Sequence, residues 1–425
     1  MMKSFRLAVC TAALFVLVAV PLLAAPGPGN ATPRSDRDGH DGRIKHVFVI
    51  VLENEGFDAT FGPNSKAPFL SKTLTSEGVL LNQYFGTGHV SLDNYVAMIS
   101  GQAATPQTRA DCVTYADFIQ TGLTPDGQAI GTGCVYPSSI KTLADQLNAK
   151  GETWRGYMED MGNDPAREAA TCGHPVLNTV DHTQAAEAPS VAVPLGDQYA
   201  SRHDPFVYFH SIIDSPDCGT HVVNLNALPQ DLAKESTTPN FVFITPNLCN
   251  DGHDAPCKNG QPGGLVSADA FLQKWVPLIM GSEAYQEDGL LIITFDEAGL
   301  SVTPNPNGPG IVVAAQGLFC CNEQPGPNLG PFPQTTVLAP GVALSFQSYG
   351  GDRTGTVLLS KFVKPGTVSN TPFNHYSMLK TLEDIFDTDE HLGFAAQPGL
   401  VGFFGCVTSD VATKDGDQFG HCDAH

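Results

Sequence analysis

Leu291-Ile-Ile-Thr-Phe-Asp296-Glu297-Ala-Gly299 is an apolar strand that runs directly into two adjacent carboxylates and a glycine. A buried strand has no reason of its own to end in two negative charges. Carboxylates packed side by side repel and resist desolvation unless a cation sits between them. A second strand of this kind, His46-Val-Phe-Val-Ile-Val-Leu52, ends on Glu53-Asn54. Two apolar strands delivering oxygen ligands to one end of a sheet predict a hard-cation site in an α/β protein. The plainer alternative is that each acid caps the helix after its strand. Recurrence on two strands favours the cation.

Outward from these strands, apolar and helical segments alternate. Strand 44–52 is followed by a helix near Ala67–Glu77, strand Val79–Tyr84, a Gly-rich turn to Ser91 and a short helix over 92–100. Helix Lys141–Lys150 precedes strand Thr153–Met158, and apolar runs recur at Phe206–His210 and Phe241–Thr245. Amphipathic Ala268–Tyr285 leads into strand 290–295, and Tyr376–Phe386 is a helix near the end. This alternation predicts an α/β fold with a mostly parallel central sheet flanked by helices on both faces. Residues from about 300 to 353 are rich in Gly, Pro and Asn with short strands, and read as an insertion beside the site. No internal repeat or low-complexity tract interrupts the chain.

The ends and the cysteines speak to compartment. Lys3 and Arg6 precede an apolar run from Leu7 to Leu23 and then Ala24-Ala25, the pattern of a secretory signal over 1–25 that is too short for a membrane anchor. A flexible segment 26–42, one catalytic domain over 43–405 and a tail 406–425 with a Cys pair complete the expected organisation. Cys10 would leave with the signal, so the 11 cysteines reduce to an even number. With an export signal, an even count reads as disulfides. Cys112–Cys134, Cys249–Cys257 and Cys406–Cys422 are candidate nearest-neighbour pairs, although sequence does not determine connectivity; the doublet Cys320-Cys321 has no account at this level. Paired Cys-x-x-Cys units of a zinc site are absent. A formal charge of −22 excludes nucleic acid as a partner, and no second apolar run could span a bilayer. A phosphate-bearing substrate would need local positive charge from a metal, histidines or a helix N-terminus.

Chemistry gathers at the strand ends. In Gly86-Thr-Gly-His89-Val-Ser91-Leu-Asp-Asn94-Tyr95, a flexible turn presents Ser91 where a helix begins. Alone, such a hydroxyl is a helix cap. The Gly-x-Ser-x-Gly elbow of serine hydrolases is missing. Beside a divalent cation the hydroxyl becomes a nucleophile, with helix N–H groups available to an oxyanion. Thr245-Pro-Asn247-Leu-Cys-Asn250-Asp251-Gly-His253-Asp254 follows a strand; it reads either as a chain of Asx turns or as an imidazole oriented between carboxylates for acid–base work. His203 and His375, each singly, read more simply as caps or packed side chains.

In order along the chain, these motifs are Val51-Leu-Glu53-Asn54, His89-x-Ser91-x-x-Asn94-Tyr95, Tyr157-Met-Glu159-Asp160, His203-x-Pro-Phe, Pro246-Asn247 with Asn250-Asp251-x-His253-Asp254, Asp296-Glu297, and His375-Tyr376 leading into Leu379-x-x-Leu-Glu. Over about residues 44–390 the chain resembles the phosphoesterase family of bacterial acid phosphatases and non-specific phospholipases C, within the alkaline phosphatase superfamily. The likeness is nearest to its short secreted acid phosphatases. The resemblance implies that Glu53, Asn54, Asp296 and Glu297 bind a divalent metal cation (Mg, Ca or Zn), and a second metal is common in the wider superfamily. It implies Ser91 as nucleophile and Asn94 as a phosphate contact. His253, Asp254, His203 and His375 would line the phosphate site, with His89, Asn247 and Asp251 beside it. Two departures stand out. Asp93 replaces the family's usual proline, and 300–353 has no counterpart. An altered second-site pattern around Asn247 and Asp251 favours a single metal.

These features predict a secreted, extracellular or periplasmic, phosphomonoesterase acting through a phosphoserine on small phosphate esters or phospholipid headgroups. His253 would be the acid for the leaving group. A phospholipase C or diesterase on the same site is the alternative. The chain lacks the long C-terminal extension of larger phospholipases C, which tilts the expectation to monoesters. A non-catalytic binding protein is disfavoured, since it needs neither Ser91 nor both acidic pairs.

Overall fold

The two acid-tipped strands, β1 (His46–Leu52) and a strand at Gly289–Phe295, lie side by side, parallel and in register from His46↔Gly289 to Leu52↔Phe295. Asp296 N–H donates to Leu52 O at 2.9 Å, so both acidic pairs leave the sheet at one place. The computed structural model describes residues 44–405 apart from 307 and 404. The expected signal 1–25, segment 26–42, Cys10 and the tail with Cys406–Cys422 fall outside the described residues.

Eight strands form the central sheet: β1, β2 (Val79–Leu81), β3 (Trp154–Met158), β4 (Val222–Asn224), β5 (Phe241–Thr245), β6 (Gly289–Phe295), β11 (Thr356–Leu359) and β12 (Thr367–Ser369). Their order is β12-β2-β11-β6-β1-β5-β3-β4, and within it β11 alone runs against its neighbours. Four more, β7 (Ser301–Pro304), β8 (Ile311–Ala315), β9 (Gln334–Ala339) and β10 (Val342–Phe346), make a separate sheet ordered β7-β8-β10-β9 within the 300–353 segment. Alternate residues of β1 enter two cores. Val47, Val49 and Val51 pack with Leu92, Leu143 and Leu379, whereas Phe48, Ile50 and Leu52 pack with Leu70, Leu272 and Ile279. Each such fully buried side chain contributes about 1.5–3 kcal/mol. The sheet is therefore covered on both faces, by α1 (Ser91–Ser100), α2 (Leu143–Lys150) and α4 (His375–Ile385) on one side and α3 (Gly264–Met280) on the other.

Local chemistry explains where the structure departs from the sequence expectation. Phe206–His210 is not a strand: Asp204 caps a 3₁₀ turn Pro205–Tyr208, its carboxylate accepting Phe206 N–H at 3.2 Å, and a helical turn His210–Ile213 follows. The expected strand Val79–Tyr84 stops at Leu81, and Tyr84–Phe85 pairs instead with Phe373–Asn374. The amphipathic run ends at Met280, and Ser282 caps a second helix over Glu283–Asp288. Disulfides join Cys112–Cys134 and Cys249–Cys257, and also Cys172–Cys218 and the adjacent Cys320–Cys321.

Candidate active site

Ser91 is the first residue of α1, and the residue before it, Val90, holds φ 81°. A β-branched residue in that region is strained and persists only when its surroundings hold it there. They do: Val90 N–H points at both oxygens of Glu297, 3.1 Å from each. This strand-end carboxylate thus fixes the elbow that presents Ser91. The hydroxyl donates to Glu53 Oε2 at 2.7 Å, and Tyr95 OH, one helical turn on, donates to Glu53 Oε1 at 2.6 Å.

Around this contact four buried acids converge on strand ends. Asn54, at φ 50°, donates its N–H to Asp296 Oδ1 and its amide to Glu297 Oε1, both at 3.0 Å. That leaves Asn54 Oδ1 and Asp296 Oδ2 buried without a partner. Burial first, then the charge of Asp251, holds the Glu53 carboxyl well above its ordinary range; burial and then Glu53 and Glu297 do the same to Asp296. Unpartnered buried oxygens among mutually repelling acids are the chemistry a hard cation answers. Among the described residues, no group of three or more His, Cys, Asp or Glu side chains is arranged as a metal cage. The unpartnered oxygens at the site come from the Asp296 and Asp251 carboxylates and the Asn54 amide, with Glu53 retaining lone pairs beyond its two hydrogen bonds.

The loop after β5 supplies the opposite wall. Asp251 O accepts Glu53 N–H at 2.8 Å, and Asp251 Oδ1 accepts His253 N–H at 2.9 Å. Burial pushes the Asp251 carboxyl up to about 7, against that hydrogen bond and helped by the charge of Asp254. His203 stacks on Tyr95 at 5.3 Å, with Nε2 3.4 Å from Glu53 Oε1 and Nδ1 3.9 Å from Asp251 Oδ2. Burial, then Arg202 and His253, hold His203 well below the ordinary imidazole range, so it is neutral. His253 itself is exposed at the rim.

Several expected site residues serve as scaffold. Asn94 Oδ1 accepts Thr87 N–H at 2.8 Å and Gly88 N–H at 3.0 Å, while its amide donates to Gly88 O and Asp93, both at 3.1 Å, so both ends close the turn before Ser91. Asn247 accepts Cys249 and Asn250 N–H at 3.0 Å and donates to Asp160 at 2.7 Å, while Glu159 takes the Asn247 N–H and the Asn250 amide. His375 donates from Nε2 to Asp296 O at 2.5 Å and accepts from Tyr84 OH at 3.0 Å, and burial lowers it to about 4. It braces Asp296 from behind. His89 lies between Glu297, which its Nδ1 contacts closely, and Asp352, 3.0 Å from Nε2. Burial opposes its protonation, but Glu297 and Asp352 raise it to about 9.

Sequence reading passed over four contributors. Asp111 accepts Leu92 N–H at 3.1 Å, occupying the amide at the α1 N-terminus that an oxyanion was expected to use, and pairs with Arg202 at 3.4 Å. Arg202 also feels Glu53, Asp251 and Asp181. Arg109 lies over the rings of Phe332 and Phe346 at 5.0 and 4.4 Å, and its charge acts on Asp93 and Glu297. Asp352 anchors His89 from the insertion's end. Arg202, next to His203, had a positional signal; Asp111, Arg109 and Asp352 had none.

The sequence profile of the Phosphoesterase family matches residues 63–389, and the chain belongs to that family. A phosphate-repressible acid phosphatase from Penicillium chrysogenum is 28% identical over 65% of this chain and 53% of its own. A phosphatidylinositol-3-phosphatase from Mycobacterium tuberculosis is 23% identical over 80% of this chain and 76% of its own. A probable acid phosphatase from Kluyveromyces lactis is 24% identical over 60% and 48%. The chain spans about half the length of the acid phosphatases it matches. A solved structure from the alkaline phosphatase superfamily of Vibrio parahaemolyticus aligns over 82% of this chain and 68% of its own, at 13% identity and TM-score 0.42, too distant to argue from.

Proposed function

We propose that the chain is a secreted, metal-dependent phosphomonoesterase that works through a phosphoserine at Ser91. The observation that carries this reading is the buried 2.7 Å contact from Ser91 Oγ to Glu53 Oε2 at a strained, carboxylate-held elbow. A cap or packing serine needs neither the elbow nor the buried acid. Asp296, Asn54 and Glu53 would hold one divalent cation, with Glu297 beside them fixing Asn54 and the Val90 elbow, and the cation would acidify a neighbouring hydroxyl and draw charge from phosphoryl oxygens. An all-oxygen set fits Mg or Ca better than Zn.

In the chemistry we infer, Glu53 orients Ser91 and takes up its proton, and Ser91 Oγ attacks phosphorus in line as the P–O bond to the alcohol breaks. His253, at the exposed rim, protonates the departing alkoxide. Protonated Asp251 and neutral His203 face the phosphate from the far wall, and Arg202 offsets its charge. His253, now neutral, takes a proton from the water that attacks the phosphoserine, Glu53 returns its proton to Ser91 Oγ as the serine O–P bond breaks, and phosphate leaves. Asp251 near 7 is neutral at acidic pH, which supports an acidic optimum. Four disulfides among the described residues agree with an oxidising compartment, as does the sequence of the leader, and no described helix is long and apolar enough to cross a membrane.

Ser91→Ala should lower kcat on p-nitrophenyl phosphate by about 10³-fold or more, while the lost hydrogen bond to buried Glu53 should cost about 1–3 kcal/mol of stability and leave the protein folded. Asp296→Asn or chelation should abolish turnover without unfolding. Acid-quenched enzyme should carry phosphate on the His89–Tyr95 peptide. Label elsewhere, or a folded Ser91→Ala protein with normal turnover, would sink the assignment. Faster release from bis(p-nitrophenyl) phosphate would move the reading to a diesterase.

A further inference from the structure

The insertion sheet has two unlike faces. Registers Val302↔Val313, Val313↔Leu344 and Ile311↔Val342 put Val302, Ile311, Val313, Val342 and Leu344 on the face that carries Phe346. The reverse face mixes Thr303, Thr335 and Ser345 with Val312, Ala314 and Val337 and carries no side chain larger than valine. The apolar face turns towards the candidate site. Phe346 stacks on His89 with ring centres 5.9 Å apart and lies 4.4 Å from the Arg109 guanidinium, and Gln334, opposite Phe346 in the ladder, accepts from Arg109 at 2.9 Å. From this anchored end the face opens to solvent: Phe346 is 7% exposed, Ile311 39% and Val302 64%. Its length along β10 from Phe346 to Val342 is roughly 13 Å at the rise of a strand.

Charge is missing from this element. Residues 300–351 hold one charged side chain, Glu323, which is buried, in a chain of formal charge −22. Such a surface beside a phosphate site recognises no second ionic group. What it offers is apolar area continuous with the site through Phe346 and His89. We infer that this face is the subsite for the alcohol arm of the substrate, and that the arm is an extended apolar chain: the substrate class is phosphate esters of amphiphilic alcohols. The inference rests on the phosphatase reading above and deepens it. A second copy of the chain is a poorer occupant, because two such acidic bodies repel. The sheet's outer strands are also blunted, by Pro304 on β7 and by the register shift between Val337 and Ala339 on β9.

The test compares kcat/KM for n-butyl, n-hexyl and n-octyl phosphate, each held below its aggregation concentration, with p-nitrophenyl phosphate as reference. The expected result is a rise of about two- to fourfold per added methylene, the upper value being the equivalent of ~0.8 kcal/mol per buried CH₂. Leu344→Asn should lower the octyl-to-butyl ratio by about tenfold. Val312→Asn, half-exposed on the reverse face, should leave both the ratio and p-nitrophenyl phosphate turnover unchanged. Because the ratio is taken within one variant, loss of folded enzyme cancels from it. Chain-length independence in an enzyme that turns over p-nitrophenyl phosphate overturns the subsite and leaves the phosphatase reading standing. No turnover of any ester overturns both. A chain effect confined to aggregated substrate, or equal loss in both variants, also overturns the subsite, the former in favour of docking to a lipid surface.

Discussion

Glu53 is held at both oxygens by residues one helical turn apart, Ser91 and Tyr95, and only the first is proposed as the nucleophile. Tyr95 also carries the stacked ring of His203, so a single phenol sets the direction of an acid and the plane of an imidazole. Tyr95→Phe keeps the stack and removes the hydrogen bond from a buried carboxylate. The expected cost is about 1–3 kcal/mol of stability, read by urea unfolding. A kcat roughly tenfold lower with KM little changed is expected as well, because Glu53 is then free to rotate away from Ser91. Full activity in this variant would mean that the rest of the strand end orients Glu53. The contrast with Asn94 is instructive. It stands in the same motif, yet its amide is spent on Thr87 and Gly88, so it shapes the turn that Ser91 leaves.

At the scale of elements, the turn 86–90 and the return of the insertion at 350–352 lie backbone against backbone. Gly351 N–H donates to Gly86 O at 3.0 Å, and a Cβ on Gly88 would stand 2.3 Å from Asp93 Oδ2. Gly88→Ala should therefore cost about 1–3 kcal/mol through overpacking and displace Ser91, with kcat falling more than stability. Gly151→Ala, at a helix end with nothing within 4 Å of the new Cβ, should cost only about 1–2 kcal/mol of left-handed strain and leave kcat alone. Equal effects of the two on kcat would deny the turn its positioning role. Much of this architecture was legible in the chain. The strands 46–52 and 289–295 announce themselves by unbroken apolar runs, and α1 and α4 start at the expected residues to within one position, because periodicity and capping are local. Asp204-Pro205 overrode an apolar run at 206–210, a local signal that went unread. The clamp from Asp111 to Leu92 N–H was beyond reach, since it joins a loop residue to a helix start 19 positions away through a side chain with no pattern around it. Arg109 is similar. Its place depends on Phe332 and Phe346 of an insertion whose fold no local periodicity reveals.

For the whole molecule, the buried acids dominate the response to pH. Asp111 is raised to about 6, and Glu159, Asp204 and Asp251 to about 7, each chiefly by burial, and Glu53, Asp93 and Asp296 also rise. With folded values above unfolded ones, the native state binds more protons between about pH 4 and 7, so stability falls as pH rises through that window. Metal-stripped protein should melt about 5 °C or more higher at pH 5 than at pH 8, given ~2–4 °C per kcal/mol in a domain of this size. Divalent cation should narrow the gap by raising the value at pH 8, and a calorimetric scan with the opposite order would contradict the site's electrostatics. The charge-poor insertion has a consequence in concentrated solution. Repulsion between molecules is lopsided, strong over most of the surface and weak where residues 300–351 face outward. At about 10 mM salt the field reaches ~30 Å and keeps molecules apart, whereas at 1 M it reaches ~3 Å and leaves that face free to adhere. Static light scattering should then give a second virial coefficient that turns negative on adding salt. Leu344→Asn should delay the sign change, making colloidal behaviour a readout of one uncharged sheet.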